Sequence, residues 1–176
     1  MSSFNDLSGT PVSGDKSLLQ GWLKEQQEFD GLVVSDWGSI ADLDCFGVAD
    51  GQMGAAERGF NAGVDMAMTA EIYEENIPFL VEQGRISETR LNDAVARILK
   101  AKFRAGLFDN PYSAPRASEG VLLNKEHRAT ARKLAEESIV LLKNRDDILP
   151  LAKQGIKLAV VGPYSDAQRQ HLGSWC

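Results

Sequence analysis

The chain has 176 residues, of which 43% are hydrophobic and 25% charged, with a net charge of −6. Those proportions suit a packed globular domain, and the acidic balance speaks against nucleic acid and anionic membrane surfaces as partners. No apolar run approaches the roughly 20 residues that span a bilayer, and Met1-Ser2-Ser3-Phe4-Asn5 has neither the basic region nor the apolar core of a signal peptide. Cys45 and Cys176 stand far apart without metal-ligand spacing, so free thiols are expected and neither a disulfide framework nor a metal site is implied.

In chain order, Gln20 to Phe29 reads as a helix with Leu19, Trp22 and Leu23 on one face. Leu32 to Ser35 reads as a buried parallel strand, apolar on both faces. Gly54 to Ala62 is a helix carrying Ala56 and Phe60, and Gly63 to Met68 a second short strand, with Met66 and Met68 expected in the core. Ile72 to Glu82 is helical, with Ile72, Ile77, Phe79, Leu80 and Val81 apolar. The clearest helix is Glu88 to Ala105. Ser87 is its N-cap, Glu88 suits the positive end of the dipole, and Gly106 stops it. Its apolar stripe is Leu91, Ala94, Val95, Ile98, Leu99 and Phe103.

Strands alternating with helices imply parallel βα units. Residues 109–120, dense in turn formers, read as a linker between two domains. Beyond it, Lys125 to Glu137 is a helix with Ala131, Leu134, Ala135 and Ser138 inward. Ile139 to Lys143 and Lys157 to Pro163 are buried strands joined through a turn at Asn144 to Pro150. Asp166 opens a short polar helix, and His127 and His171 are surface residues without ligand partners.

The run Gly31-Leu32-Val33-Val34-Ser35-Asp36-Trp37 carries the functional signal. In sheets covered by helices, ligands bind outside the carboxyl ends of the strands. Asp36 at such an end is a candidate for chemistry, and Trp37 offers a flat apolar face on which a sugar ring can stack. The competing reading makes Asp36 a helix cap or loop turn and Trp37 a core residue.

Several segments, in order, resemble glycoside hydrolase family 3. They are Phe4-Asn5 with Gly9-Thr10-Pro11, Val34-Ser35-Asp36-Trp37, Ala62 through Met68, and Gly106-Leu107-Phe108. Further on come Glu137 through Asn144 with Leu149-Pro150-Leu151, Ala159 through Pro163, and Gly173-Ser174-Trp175. The resemblance covers nearly the whole chain. It implies an α/β protein: residues 1–108 as the C-terminal part of a (β/α)8-type barrel, 109–120 as a linker, and 121–176 as the start of an α/β sandwich domain.

It further implies a retaining β-glycosidase, β-glucosidase-like, needing no cofactor and acting on a β-glucoside or oligosaccharide. Asp36 maps onto the family's nucleophile, Trp37 onto a wall of the glucose subsite, and Phe4 onto a barrel strand end whose aromatic faces the sugar. Members of the family are often secreted or periplasmic.

A complete barrel takes about 250 residues. The chain is therefore expected to be an internal fragment, lacking the first barrel strands and the acid/base of the second domain, and inactive alone. Glu71, Glu74 and Glu75 match no acid/base position and read as solvated residues at a helix start. Two alternatives come from other classes. One is a receiver-type phosphoacceptor module, which lacks the required acidic pair on a strand before Asp36; the other is a non-catalytic sugar-binding module built on Trp37.

Overall fold

A computed structural model describes residues 1–69, 71–113, 119–167 and 169–173, without the side chains of residues 171 and 172. The expectations for Ser174, Trp175, Cys176 and the His171 side chain therefore lie outside the described residues, as does part of the linker. The chain forms two compact units, Met1–Pro115 and Arg116–Cys176.

The first unit opens with a small antiparallel ribbon, β1 (Asp6–Leu7) with β2 (Thr10–Pro11). A wide π-type helix, Ser17–Gln26, follows. It begins before the helix expected at Gln20 and ends before Phe29. Its winding also changes which residues face inward. With bonds reaching five residues back, as from Gln27 N–H to the Trp22 carbonyl, residues five apart come into line. Leu19 and Lys24 are buried, while Trp22, expected on the inner face, is 49% exposed.

Next come β3 (Val34–Trp37), α1 (Asp42–Cys45), α2 (Gly51–Ala62) and β4 (Met66–Met68). β3 and β4 pair in parallel, and α1 and α2 make the crossover between them, a βαβ unit of an α/β fold. The strand expected at Leu32–Ser35 is displaced toward its C-terminus, so Asp36 and Trp37 lie within β3 rather than after it. The Asp44 carboxylate accepts the Gly51 N–H at 3.0 Å at the start of α2. Gly63 ends α2 at φ 118°, where a Cβ would meet the backbone of Leu19 and Gln20 at 3.3 Å, so the left-handed turn and the close helix both require glycine.

β4 corrects the expectation for the methionines. Ala67 is buried at 3% exposure, whereas Met66 is 44% exposed. Successive residues of a strand face opposite ways, and it is Ala67 that meets the helices packed on this sheet.

Helices α3 (Glu71–Glu82) and α4 (Glu88–Arg104) complete the unit. Ser87 caps α4 as expected, its hydroxyl accepting the Arg90 N–H at 3.1 Å, and Gly106 follows the helix at φ 70°. The core gathers Leu43, Ala55, Phe60, Val64, Leu80 and Ile86 between the strands and helices. Burying an aromatic or branched side chain of this kind stabilises by about 1.5–3 kcal/mol. Phe60 and Tyr73 meet edge to face, centroids 5.4 Å apart, a favoured ring geometry. The apolar stripe of α4 is only partly covered: Ala94 is buried, but Val95, Leu99 and Phe103 are exposed.

The second unit holds α5 (Lys125–Glu137), which matches its expected span. Asn124 caps it, accepting the His127 N–H at 2.8 Å, and His127 is exposed as expected. The expected inward face is not buried; Leu134 is 62% exposed. The strands expected at Ile139–Lys143 and Lys157–Pro163 do not form among the described residues. Val140 is 72% exposed and Val161 86%. Apolar β-branched runs become strands by pairing and packing, not by intrinsic preference alone. The expected turn does form: Asn144 clasps Leu149 through its side chain, donating to the carbonyl and accepting the N–H, both at 3.0 Å.

Candidate active site

Asp36 owes its placement to an irregularity in the parallel ladder. Val34 pairs with Met66 and Trp37 with Met68, so β3 carries one more residue than β4 between these positions. A bulge of this kind breaks the strict alternation and re-aims side chains, and bulges concentrate beside active sites. The half-buried Asp36 sits on this extra length. Its Oδ1 accepts the N–H of Trp37 at 2.6 Å, which fixes the carboxylate against its own backbone. The Asp36 carbonyl accepts the Ser39 N–H at 3.2 Å and the Ser35 hydroxyl at 2.8 Å. Trp37 is 59% exposed in this chain and is not packed in its core. Asp36 caps no helix either; it lies in a strand.

Phe4 belongs to the segment beside β3, where the Ser2 N–H donates to the Val34 carbonyl at 2.9 Å. Phe4 lines a cavity of about 230 Å³ together with Asp6, Gly9, Pro11, Phe46 and Val48. Asp36 and Trp37 are not among its walls, so Phe4 opens onto a different concavity.

Two polar constructions around the site were not foreseen. The first is a buried chain of hydroxyls. Ser13 Oγ lies 2.9 Å from Ser2 Oγ and 3.0 Å from Ser39 Oγ, and all three residues are buried. The chain ties the N-terminal segment and the turn after β2 to the loop that leaves β3. The second is an ionic clamp at the other end of the strands. The Asp65 carboxylate, 0% exposed, accepts a hydrogen bond from Lys24 Nζ at 2.6 Å and forms an ion pair with Arg90 Nη1 at 2.9 Å. It also accepts the Val33 N–H at 2.8 Å, joining the entry to β3 with the entry to β4. Arg90 also donates to the Phe60 and Val64 carbonyls and lies 4.5 Å from the centre of the Phe60 ring.

Burial pulls the Lys24 ammonium below its ordinary range, opposed by its hydrogen bond to Asp65 and by that residue's charge. Burial also pushes the Tyr73 phenol up; its hydroxyl donates to the Val64 carbonyl at 3.3 Å.

Glu71, Glu74 and Glu75 stand exposed at the start of α3, in keeping with solvated residues. Cys45 is an exposed free thiol. Among the described residues, no group of three or more His, Cys, Asp or Glu side chains is arranged to hold a metal ion, and no helix is long and apolar enough to cross a membrane.

A parallel βαβ unit with a carboxylate and an exposed indole at the outgoing end of its first strand defines an α/β protein of the kind that binds ligands at strand ends. The family can be stated more closely. The model of the glycosyl hydrolase family 3 N terminal domain matches residues 1–101, and the chain belongs to glycoside hydrolase family 3. It is 43% identical to the periplasmic beta-glucosidase of Salmonella typhimurium over 99% of this chain and 23% of that protein. A putative beta-xylosidase of Formosa agariphila is 39% identical over 93% of this chain and 22% of that protein. The crystal structure of beta-glucosidase from Listeria innocua in complex with glucose superposes with a TM-score of 0.72 at 38% identity. That match covers 86% of this chain and 21% of the Listeria chain. The chain thus spans less than a quarter of the length of these relatives.

Proposed function

We propose that the protein is a retaining β-glycosidase, β-glucosidase-like, in which Asp36 is the nucleophile and Trp37 a wall of the sugar subsite. The observation that carries the reading is the carboxylate on the bulged end of β3, beside an exposed indole, in a chain of this family. With Oδ1 held by the Trp37 N–H, Oδ2 is the attacking oxygen. It forms a bond to the anomeric carbon as the bond to the leaving oxygen breaks, giving a covalent glycosyl-enzyme. A second carboxyl group, roughly 5–5.5 Å away in retaining enzymes, protonates the leaving oxygen and then takes a proton from the water that releases the sugar. We assign that role to none of Glu71, Glu74 and Glu75.

The named relatives include a beta-glucosidase and a putative beta-xylosidase, and the glucose complex of the Listeria enzyme favours a glucoside as substrate. The same reading makes residues 1–108 the C-terminal part of a (β/α)8-type barrel, 109–120 a linker and 121–176 the start of an α/β sandwich. The same reading carries Phe4 as a sugar contact on the family resemblance alone.

The test is covalent trapping. The full-length protein is treated with a 2-fluoro β-glucoside, digested and sequenced by mass spectrometry. The sugar should be found on the peptide containing Asp36 and be lost in Asp36→Ala. Labelling of another acidic residue overturns the assignment, and an α-configured first product in the NMR spectrum overturns the retaining mechanism.

A further inference from the structure

We propose that Ser35 is a positioning residue for Asp36, holding the bulge that aims the nucleophile. The inference rests on Asp36 being the nucleophile. Ser35 is 0% exposed, so its hydroxyl faces protein alone. It sits within the irregular stretch between Val34 and Trp37 and bridges both sides of it. Its oxygen accepts the Met68 N–H of β4 at 2.8 Å, and its proton goes to the Asp36 carbonyl at 2.8 Å.

One hydroxyl therefore links the neighbouring strand to the peptide of the residue that does the chemistry. It supplies an acceptor to a strand N–H at the point where the extra residue disturbs the ladder. It also pins the Asp36 carbonyl, which the Ser39 N–H holds from the other side. A hydroxyl donates and accepts at once, which alanine cannot do. An alanine here leaves the Met68 N–H without that acceptor and the Asp36 carbonyl held by the Ser39 N–H alone, so that the peptide can tilt. The Asp36–Trp37 hydrogen bond would travel with it, carrying Oδ2 off the line of attack.

A misplacement of about 1 Å costs on the order of 10²-fold in rate. Binding of the sugar, which depends on Trp37 and other walls, should change little. The test compares Ser35→Ala, Ser35→Thr and Asp36→Asn in the full-length protein. Three quantities are read: kcat on an aryl β-glucoside, the rate of trapping by a 2-fluoro β-glucoside, and the inhibition constant of glucose.

Ser35→Ala should lower kcat and the trapping rate together by about 10- to 100-fold, with the glucose constant moved less than about threefold. Ser35→Thr, which keeps the hydroxyl, should recover most of the rate. Wild-type kcat and trapping in Ser35→Ala overturn the proposal, as does equal weakening of glucose binding and rate, which marks a general structural loss. If Ser35→Ala does not fold, the threonine variant decides: near wild-type trapping supports the proposal and an inactive folded protein overturns it. Asp36→Asn separates the two inferences. Full activity there defeats the nucleophile reading itself, whereas an inactive Asp36→Asn beside a fully active Ser35→Ala defeats the role of Ser35 alone.

Discussion

Replacing Asp65 by asparagine should be among the costliest changes in the first unit, although Asp65 lies at the opposite end of β4 from Asp36. Its carboxylate is 0% exposed and receives Lys24 at 2.6 Å, Arg90 at 2.9 Å and the Val33 N–H at 2.8 Å. Asparagine keeps the shape and one acceptor but removes the charge. Lys24, whose side chain is 1% exposed, would then face only Asp93, at 4.0 Å. Stripping one partner from a buried ion pair costs about 3–5 kcal/mol, because the charge left behind stays desolvated.

The first unit, Met1–Pro115, lies between the size classes in which each kcal/mol moves the melting point by about 4–8 °C and about 2–4 °C. A fall of roughly 6 °C or more is therefore expected in a far-UV circular dichroism melt at neutral pH. Lys24→Met should cost less, since it leaves the carboxylate with the Val33 N–H and the Arg90 charge. Asp30→Asn is the control: its partner Arg104 is at 2.7 Å, but both side chains are more than 60% exposed, and solvent screens such pairs. If Asp65→Asn melts with the Asp30→Asn control, the clamp is not what holds the entries of β3 and β4 together.

The remaining expectations are simpler to check. Gly59→Ala places a Cβ 2.8 Å from Ile40 Cδ1 and 3.2 Å from the Tyr73 hydroxyl, and overpacking of this kind should cost about 1–3 kcal/mol in urea unfolding; an unchanged midpoint would show that the contact relaxes freely. The Ser17 hydroxyl, 2.6 Å from Asp15, is the largest cause holding that carboxyl below its usual 3.8. A carboxylate with a depressed folded value stabilises above the unfolded value, and that contribution fades as pH falls through the folded one. Ser17→Ala should thus be less stable than wild type near neutrality and converge with it below about pH 3.8, while a gap that is constant down to pH 2 refutes the linkage. Limited proteolysis of the full-length protein should cut within residues 109–120 if it cuts between domains, and cleavage inside α4 with protection there would count against the boundary.

What could be read from the chain beforehand was whatever depends on local chemistry. Ser87 and Gly106 bracket α4 because a cap and a left-handed stop are decided by a few adjacent residues. α5 matched its span for the same reason, with Asn124 at its start. Features that depend on partners were less legible. Ile139 and Val161 have strong strand preference, yet no strand forms there among the described residues, because a strand exists only against a neighbour. Periodicity misled at Lys24. A period of 3.6 puts Trp22 inward with Leu19, and nothing in the residues announces that the helix winds more widely and turns Lys24 in instead.

The same contrast explains the site. The carboxylate and indole of β3 were visible because an apolar run ends in Ser-Asp-Trp and stands in order with the other segments of the family pattern. Their geometry was not visible, because it depends on β4, some thirty residues on, lacking the residue that β3 has in excess. Strict alternation of side chains holds only along a regular strand, and the extra residue between Val34 and Trp37 interrupts it at Asp36's stretch of β3. Asp65 binding the Val33 N–H at the strand's entry and Ser35 binding Met68 at its exit fix the two ends of the offset. The register is thereby set by side chains on both sides of the irregular step, and the aim of Asp36 follows from that register.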